Sequence, residues 1–385
     1  MNKKLVRITT IPVSLEKLLE NQLNYMRQFY DVTAISSDKP SLEQVGKAQG
    51  VNVYAVEMTR KITPLQDLKA FWQLYNYFRR EKPFIVHTHT PKAGTVGMLA
   101  AKLARVPHRL HTIAGLPLLE AKGNKRQLLN GVEKITYWSA TMIYPNSNTL
   151  KEIIIQEKFC KPGKLKVIGN GSSNGINTSH FNPEHFSDVE KQMLKSNLGI
   201  TPEDFVFIFV GRLVGDKGIN EMIAAFQKLN DIKAAVKLVL VGSQEDHLDP
   251  LQIETLHQIN TNPNIIAVGH QNDVRPYLAV SNALVFPSYR EGFPNVVMQA
   301  GAMGLPSIVT DINGCNEIIV EGENGTIIPV KDSSAIFGAM KKMMEDDALR
   351  SFLVQNSRLM IASRYEQEVV WKAILAEYKK LELNV

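Results

Sequence analysis

Three stretches of the sequence combine charged or hydrogen-bonding side chains with backbone that can approach a ligand closely. The first is Gly211-Arg212-Leu-Val-Gly-Asp216-Lys217-Gly218, directly after the apolar run Phe205–Val210. Glycines permit close approach, Arg212 can fork onto a phosphate, and Lys217 can add a compact positive charge. The second runs from Pro287 to Pro306 and contains Glu291, Gly292, Phe293, Pro294, Asn295 and Gln299. A strand over Ala283–Phe286 ends in a Pro-Ser turn, and the Gly-Phe-Pro loop then feeds a helix whose first turn is Asn295-Val-Val-Met. Free N–H groups at that helix start suit an anion. Glu291 and Gln299 offer oxygen acceptors to the hydroxyls of a sugar or ribose. The third is His87-Thr-His89-Thr-Pro-Lys92-Ala-Gly94 at the end of a strand. Residues i and i+2 of a strand point to one side, and Lys92 with the helix start at Gly94 could meet a phosphate.

Other chemistries are excluded. Gly171-Ser-Ser173-Asn-Gly175 spells a nucleophile elbow, but loop rather than helix follows it. No dinucleotide fingerprint, no phosphate-binding loop of the NTPases and no Asp-x-Asp occurs. Glu345-Asp346-Asp347 reads as a polar helix end rather than a ligand set for a divalent cation. Two cysteines, Cys160 and Cys315, are too few for a disulfide scaffold or thiolate metal site and fit a reducing compartment. The first residues show no signal peptide, and no run of about 18 apolar residues could span a membrane.

The elements that must position these stretches alternate. Strands are expected at Lys4–Thr10, Asp31–Ser36, Val51–Val56, Phe84–His87, His108–Thr112 and Thr141–Pro145, with helices over Leu15–Phe29, Gln66–Glu81 and Gly94–Ala104 between them. After a linker over Asn174–Ser187 the pattern restarts, with strands at Phe205–Val210, Lys237–Val241, Ile265–Val268, Ala283–Phe286 and Ser307–Thr310 and a closing helix at Gln367–Leu381. Alternation of this kind implies parallel sheets covered on both faces. The expected architecture is α/β, two Rossmann-like doubly wound domains facing a cleft: residues 1–182, residues 183–366, and a last helix in 367–385.

Charge divides along the same line. Residues 1–182 carry 26 Lys and Arg against 12 Asp and Glu, a net +14, while residues 183–385 carry 18 against 26, a net −8. A basic half points to a polyanionic partner, a membrane surface or nucleic acid. The segment from Gly115 to Asn130, with leucines, Lys122, Lys125 and Arg126, has the mixture that interfacial contact needs.

The two glycine-rich motifs together, in this order and about 80 residues apart, resemble those of the retaining GT-B glycosyltransferases of family 4, which use nucleotide-sugar donors. The likeness extends over nearly the whole chain. Thr9-Thr-Ile-Pro-Val-Ser-Leu, the His87–Gly94 stretch and Asn170-Gly-Ser-Ser-Asn-Gly-Ile176 look like bacterial members that build capsule, O-antigen or other lipid-linked glycans. The resemblance implies donor-diphosphate binding by Arg212 and Lys217, with Gly211 and residues 292–295 around them. It puts Glu291 on the donor sugar and Gln299 on the ribose, where the family pattern has Glu. It implies catalysis aided by His89, with His87 second, and Lys92, Lys122, Lys125 and Arg126 on the acceptor or membrane side. Ala114 stands where many relatives carry His, so an imidazole role there is lost. It implies a GT-B fold with the last helix crossing back to the first domain, retention at the anomeric carbon, and no metal or other cofactor beyond the nucleotide sugar. The expected acceptor is a lipid-linked glycan. The expected place is cytoplasmic, peripheral at the inner face of the plasma membrane. A nucleotide-sugar-binding protein without transfer activity, a UDP-sugar epimerase of this architecture and a nonspecific nucleic-acid binder remain the alternatives, the last disfavoured by the lack of interleaved aromatics.

Overall fold

The computed structural model describes residues 2–116, 118, 121–245 and 249–383. They form two compact units. One comprises the chain up to Asn174 together with the segment from Gln367; the other is Gly175–Glu366.

The first unit holds β1 (Lys4–Ile8), β2 (Asp31–Ser36), β3 (Asn52–Ala55), β4 (Ile85–Thr88), β5 (His108–Ile113) and β6 (Met142–Pro145), in the order β3-β2-β1-β4-β5-β6. The second holds β7 (Phe205–Val210), β8 (Val236–Val241), β9 (Ile265–Gly269), β10 (Ala283–Phe286), β11 (Ser307–Thr310) and β12 (Gly325–Ile328), in the order β12-β11-β10-β7-β8-β9. Every strand pairing is parallel. Both sheets are doubly wound. The chain steps outward from β1 or β7, crosses the sheet, and steps outward the other way from β4 or β10. The switch points, where ligands of such sheets bind, therefore lie between β1 and β4 and between β7 and β10, beyond the strand ends.

Burial on both faces explains why the inner strands read as unbroken apolar runs. Val206, Phe207, Ile208 and Phe209 are fully buried, as are Leu238, Val239 and Leu240. Each such side chain contributes about 1.5–3 kcal/mol relative to exposure.

In the first unit, helices Pro64–Glu81, Pro91–Leu103 and Gly123–Ser139 lie side by side on one sheet face and share a core with Phe71, Leu74, Met98 and Tyr137. The other face carries Pro12–Leu18, Gln22–Met26, Lys39–Gln49 and the last helix, Gln367–Leu383, whose Val370, Ile374 and Tyr378 pack with Leu15, Leu23 and Leu110. Because the strands are parallel, each crossover helix begins at the edge where the strands end.

Several expectations are corrected. The helix read over Leu15–Phe29 is two, broken where Asn21 takes φ of 58°. Leu15, Leu19, Leu23 and Met26 are all fully buried across the break, so the apolar period runs on although the backbone does not. The helix read over Gln66–Glu81 starts two residues earlier, at Pro64, and its Leu68 is 54% exposed while Phe71 and Leu74 are buried. The division between units falls at Asn174 rather than Asn182, because Ile176 joins the second core. Its N–H donates to the Tyr365 carbonyl (2.8 Å), and the Thr178 N–H donates to the Glu366 carboxylate (3.0 Å). The acidic run 345–347 marks a junction between two helices, Ser333–Glu345 and Asp347–Tyr365. There the Asp346 carboxylate accepts from the Leu349 N–H at 2.9 Å.

Candidate active site

In the second unit the two glycine-rich stretches are the loops that leave β7 and β10, the strands on either side of the switch point. They are tied together. The Tyr289 N–H donates to the Asp216 carbonyl (2.9 Å), the Arg290 guanidinium pairs with the Asp216 carboxylate (2.7 Å), and the Lys217 ammonium is ion-paired with Glu291. Gly218 makes this approach possible: it sits at φ 70°, and a Cβ there would run into the Pro287 carbonyl oxygen. Helix Ile219–Ile232 starts directly behind it.

Glu291 is held from several sides. The Ser288 hydroxyl, wholly buried, donates to its carboxylate at 3.0 Å, and the Thr310 hydroxyl donates to the Ser288 carbonyl. The Asn313 side-chain amide donates to the carbonyls of Glu291 (3.0 Å) and Gly292 (2.6 Å). Lys217 and Glu291 are largely enclosed, at 14% and 17% side-chain exposure, so their attraction is weakly screened. Arg212 is more open and reaches Glu245 at 3.3 Å. Helix Asn295–Ala302 begins after Gly292-Phe293-Pro294 with no side chain capping its amino terminus, and Gln299 lies half-buried on it. Phe293 is anchored edge-on against Tyr365, ring centres 5.4 Å apart. Cationic Arg212 and Lys217, the largely enclosed Glu291 carboxylate and uncapped N–H groups in the loops at one sheet edge can hold a phosphorylated, hydroxyl-rich ligand.

In the first unit, the register pairs Arg7 of β1 with His87 of β4. His89 follows β4 by one residue and its ring lies 4.5 Å from that of His87. Arg7 is completely buried; among the described residues no carboxylate pairs with it. It donates instead to Gln22, Tyr378 (3.1 Å) and His89 Nε2 (2.8 Å). Guanidinium only donates, so His89 Nε2 is an acceptor and the proton of its neutral ring sits on Nδ1. Burial, then the charge of Arg7, holds the His89 pKa well below the usual imidazole value. Burial does the same for His87, with His89 and Arg7 adding to it, and pushes His111 down to about 4. Both ring nitrogens of His87 meet protein hydroxyls, Tyr378 at Nδ1 and Thr112 at Nε2 (2.7 Å), which leaves none for a substrate. As placed, His87 props the His89 ring rather than touching reactants.

Thr90 takes φ of 71°, a strained value for a β-branched residue. Its hydroxyl bonds the Thr10 hydroxyl (2.8 Å) across the switch point between β1 and β4. Lys92 is ion-paired with Asp67 at 2.6 Å. Arg126 is committed to Glu157 (2.6 Å) and to the Leu118 carbonyl (3.0 Å). Lys122 and Lys125 are exposed. Leu116 and Leu118, read as surface leucines of an interfacial segment, are buried in the core; Pro117, Leu119 and Glu120 lie outside the described residues. Among the described residues no three His, Cys, Asp or Glu side chains converge as metal ligands, and both cysteines are free.

Sequence reasoning passed over Asp216, Ser288, Asn313, Arg7 and Tyr378. An Asn-Gly pair after β11 was the visible signal for Asn313. Arg7, a charge inside an otherwise apolar strand, was the signal for the buried network.

Fold and site together define a glycosyltransferase of the GT-B class. Residues 18–171 match the family model described as "Glycosyl transferase 4-like domain", and residues 190–360 match "Glycosyl transferases group 1". The chain is 34% identical over 378 residues to the capsular polysaccharide biosynthesis glycosyltransferase CapM of Staphylococcus aureus, covering 98% of this chain and 97% of that one. It is 30% identical over 312 residues to the UDP-Gal:alpha-D-GlcNAc-diphosphoundecaprenol alpha-1,3-galactosyltransferase of Escherichia coli, covering 80% and 78%. Its fold matches that of HepE from Anabaena, solved in complex with UDP, at a TM-score of 0.80 and 17% identity over 99% of this chain and all of that one. The chain belongs to family 4 of the GT-B glycosyltransferases.

Proposed function

We propose that the protein transfers a hexose or N-acetylhexosamine from a UDP-sugar to a glycan carried on a polyprenyl diphosphate, with retention at the anomeric carbon, in surface polysaccharide biosynthesis. The observation that carries this reading is the cross-linked pair of loops at the β7/β10 switch point, with Arg212, Lys217 and Glu291 gathered around an uncapped helix start. The relatives supply the substrate classes: the Escherichia coli enzyme is named for UDP-Gal and a diphosphoundecaprenol acceptor, and HepE was solved with UDP.

In this scheme Arg212, Lys217, Gly211 and the N–H groups around Gly292–Asn295 grip the donor diphosphate, Glu291 holds the donor sugar, and Gln299 holds the ribose. The acceptor hydroxyl approaches C1 from the side on which the diphosphate leaves. Its oxygen bonds to C1, the bond from C1 to the phosphate oxygen breaks, and the hydroxyl proton passes to the departing phosphate. The protein's work is positioning and stabilisation of charge on the leaving group. The cations of Arg212 and Lys217 do this without a metal ion. His89 acts as a neutral hydrogen-bond donor through Nδ1–H, not as a base, since Arg7 occupies Nε2.

The test is direct. The full chain is incubated with UDP-glucose, UDP-galactose and their N-acetylated counterparts, each with an N-acetylhexosamine on a short-chain prenyl diphosphate. Mass spectrometry should show one added sugar with one of these donors, and the anomeric coupling of the product should match that of the donor. Donor hydrolysis or isomerisation without a glycosylated acceptor, or an inverted product, would overturn the reading.

A further inference from the structure

Arg7 stands where the sheet calls for an apolar residue. Its neighbours on β1, Leu5, Val6 and Ile8, are buried and apolar, and Arg7 itself is wholly buried. A buried charge costs folding free energy when no counter-ion offsets its lost hydration. Among the described residues no carboxylate pairs with Arg7, and its Nε–H has no hydrogen-bond partner. An apolar side chain of that length would avoid the cost, so the charge itself calls for an explanation.

The guanidinium orients the groups around it, because it only donates. The oxygen of Tyr378, on the last helix, accepts from Arg7 at 3.1 Å, so the Tyr378 O–H donates to His87 Nδ1. His87 then carries its proton on Nε2 and donates to the Thr112 hydroxyl at 2.7 Å. Gln22 Oε1 also accepts from Arg7, which turns the Gln22 amide nitrogen toward the Ser173 carbonyl (3.0 Å) and Asn174 Oδ1 (2.9 Å). His89 Nε2 accepts at 2.8 Å, leaving the ring proton on Nδ1. That Nδ1–H makes no hydrogen bond within the described residues, although His89 is only 3% exposed. The network therefore ends in a donor without a protein partner, one residue past β4 at the switch point. A ring that accepts from a cation through one nitrogen donates more strongly through the other, since linked hydrogen bonds polarise one another. The titratable groups around this ring are Arg7 of β1, His87 of β4, His111 of β5 and Tyr378 of the last helix, with Tyr144 of β6 beyond His87. None is a carboxylate, so Arg7 supplies the charge that the ring feels.

We propose that Arg7 and Tyr378 are positioning residues for sugar transfer: the Arg7 charge, held in place by Tyr378 and Gln22, acts through the His89 ring and makes Nδ1–H a fixed, polarised donor to a substrate oxygen. The inference deepens the transferase reading above and rests on it. It gives the last helix a part in the chemistry, through a hydroxyl 289 residues beyond His89 in the sequence.

The full chain and its variants are assayed for transfer from the UDP-sugar to the short-chain prenyl diphosphate acceptor. Arg7→Met should lower kcat about tenfold or more and leave KM for the UDP-sugar within about twofold, because the network touches the His89 edge and not the donor loops. The ratio of the Arg7→Met kcat to that of the unmodified chain should rise as the pH falls from 8 to 6. Without Arg7 the His89 ring takes up a proton more readily, and a proton on Nε2 restores the missing positive charge. Tyr378→Phe removes a single oxygen and should lower kcat about fivefold, which keeps the proposal testable if Arg7→Met does not fold. Tyr30→Phe is the control: the Tyr30 hydroxyl ties the same helix through Glu382 (2.6 Å) but lies outside the network, so its kcat should not change. A folded Arg7→Met chain with the unmodified kcat, a ratio constant across this pH range, or equal losses in Tyr378→Phe and Tyr30→Phe would overturn the proposal. A chain that transfers sugar but is indifferent to these substitutions refutes the positioning role alone. One that transfers nothing from any donor refutes the proposed activity, and this role with it.

Discussion

Lowering the pH from 7 to 5 should unfold the first unit far more readily than the second. Three imidazoles, His87, His89 and His111, are buried there in the neutral form, all with depressed pKa values. A base whose folded pKa lies below its unfolded value binds more protons when unfolded. Its contribution is intact above about pH 6.5 and is lost as pH falls from there toward the folded pKa, at about 1.4 kcal/mol per pH unit. For His111, with a folded value of about 4, the loss at pH 5 is about 2 kcal/mol. His87 and His89, depressed in the same direction by burial, add to this loss. Paired carboxylates such as Glu81 and Glu377, held below their usual range by Lys and Arg partners, lose their share mainly below this window. Glu133, raised by burial, works in the opposite direction. All three tryptophans, Trp72, Trp138 and Trp371, lie in the first unit, so urea unfolding followed by tryptophan emission reports that unit. The unfolding free energy should drop steeply between pH 6.5 and 5, and His111→Asn should reduce the slope by about 1.4 kcal/mol per pH unit. Superimposable curves at pH 7 and 5, or a slope unchanged in the variant, would refute the reasoning.

Three further outcomes follow from the geometry. Gly314 sits at φ 78° with Gly292 O 2.6 Å from where a Cβ would stand, so Gly314→Ala should destabilise by more than about 1 kcal/mol and raise the UDP dissociation constant by displacing the Gly292–Pro294 loop; calorimetry reads both. Gln299→Glu should tighten UDP binding several-fold, because a charged acceptor makes a hydrogen bond about twice as strong; unchanged affinity would remove Gln299 from the ribose. Arg7→Met should release His89 Nε2 and raise the His89 pKa toward the ordinary range, so nitrogen-edited NMR should find the Nδ1–H tautomer of that ring in the unmodified chain and a mixture in the variant.

Much of the fold was legible because parallel strands buried on both faces leave an unmistakable trace. Phe205–Val210, Ala283–Phe286, Ser307–Thr310 and Asp31–Ser36 have the limits that their composition indicates. Short helices on the sheet surfaces were less visible. Lys39–Gln49 and Asp188–Asn197 carry few apolar residues, and the break at Asn21 leaves the apolar period undisturbed. The loops at the second switch point could be named from Arg212, Lys217 and Glu291, since glycine, cation and carboxylate at fixed spacing mark a ligand site. Their mutual ion pair could not, because it joins residues 74 apart. The same holds for Arg7 and Tyr378, which meet across almost the whole chain. Burial was misjudged for a related reason: Leu116 and Leu118 look like surface leucines in a lysine-rich segment, and only the packing shows that they are buried while Leu65, Leu68 and Trp72 are exposed.

The most direct test of the donor site is differential scanning calorimetry of the full chain with UDP, GDP or ADP, because it registers both units. A ligand at 100 times its dissociation constant stabilises the folded state by about 2.7 kcal/mol. Arg212→Ala or Lys217→Ala removes a charge-assisted contact of about 1.5–3 kcal/mol, weakening binding by about tenfold to a hundredfold. The account predicts a UDP-induced rise in the second unit's transition that falls by about half or more in either variant. A rise of equal size in both variants, or none with any nucleotide, would contradict it.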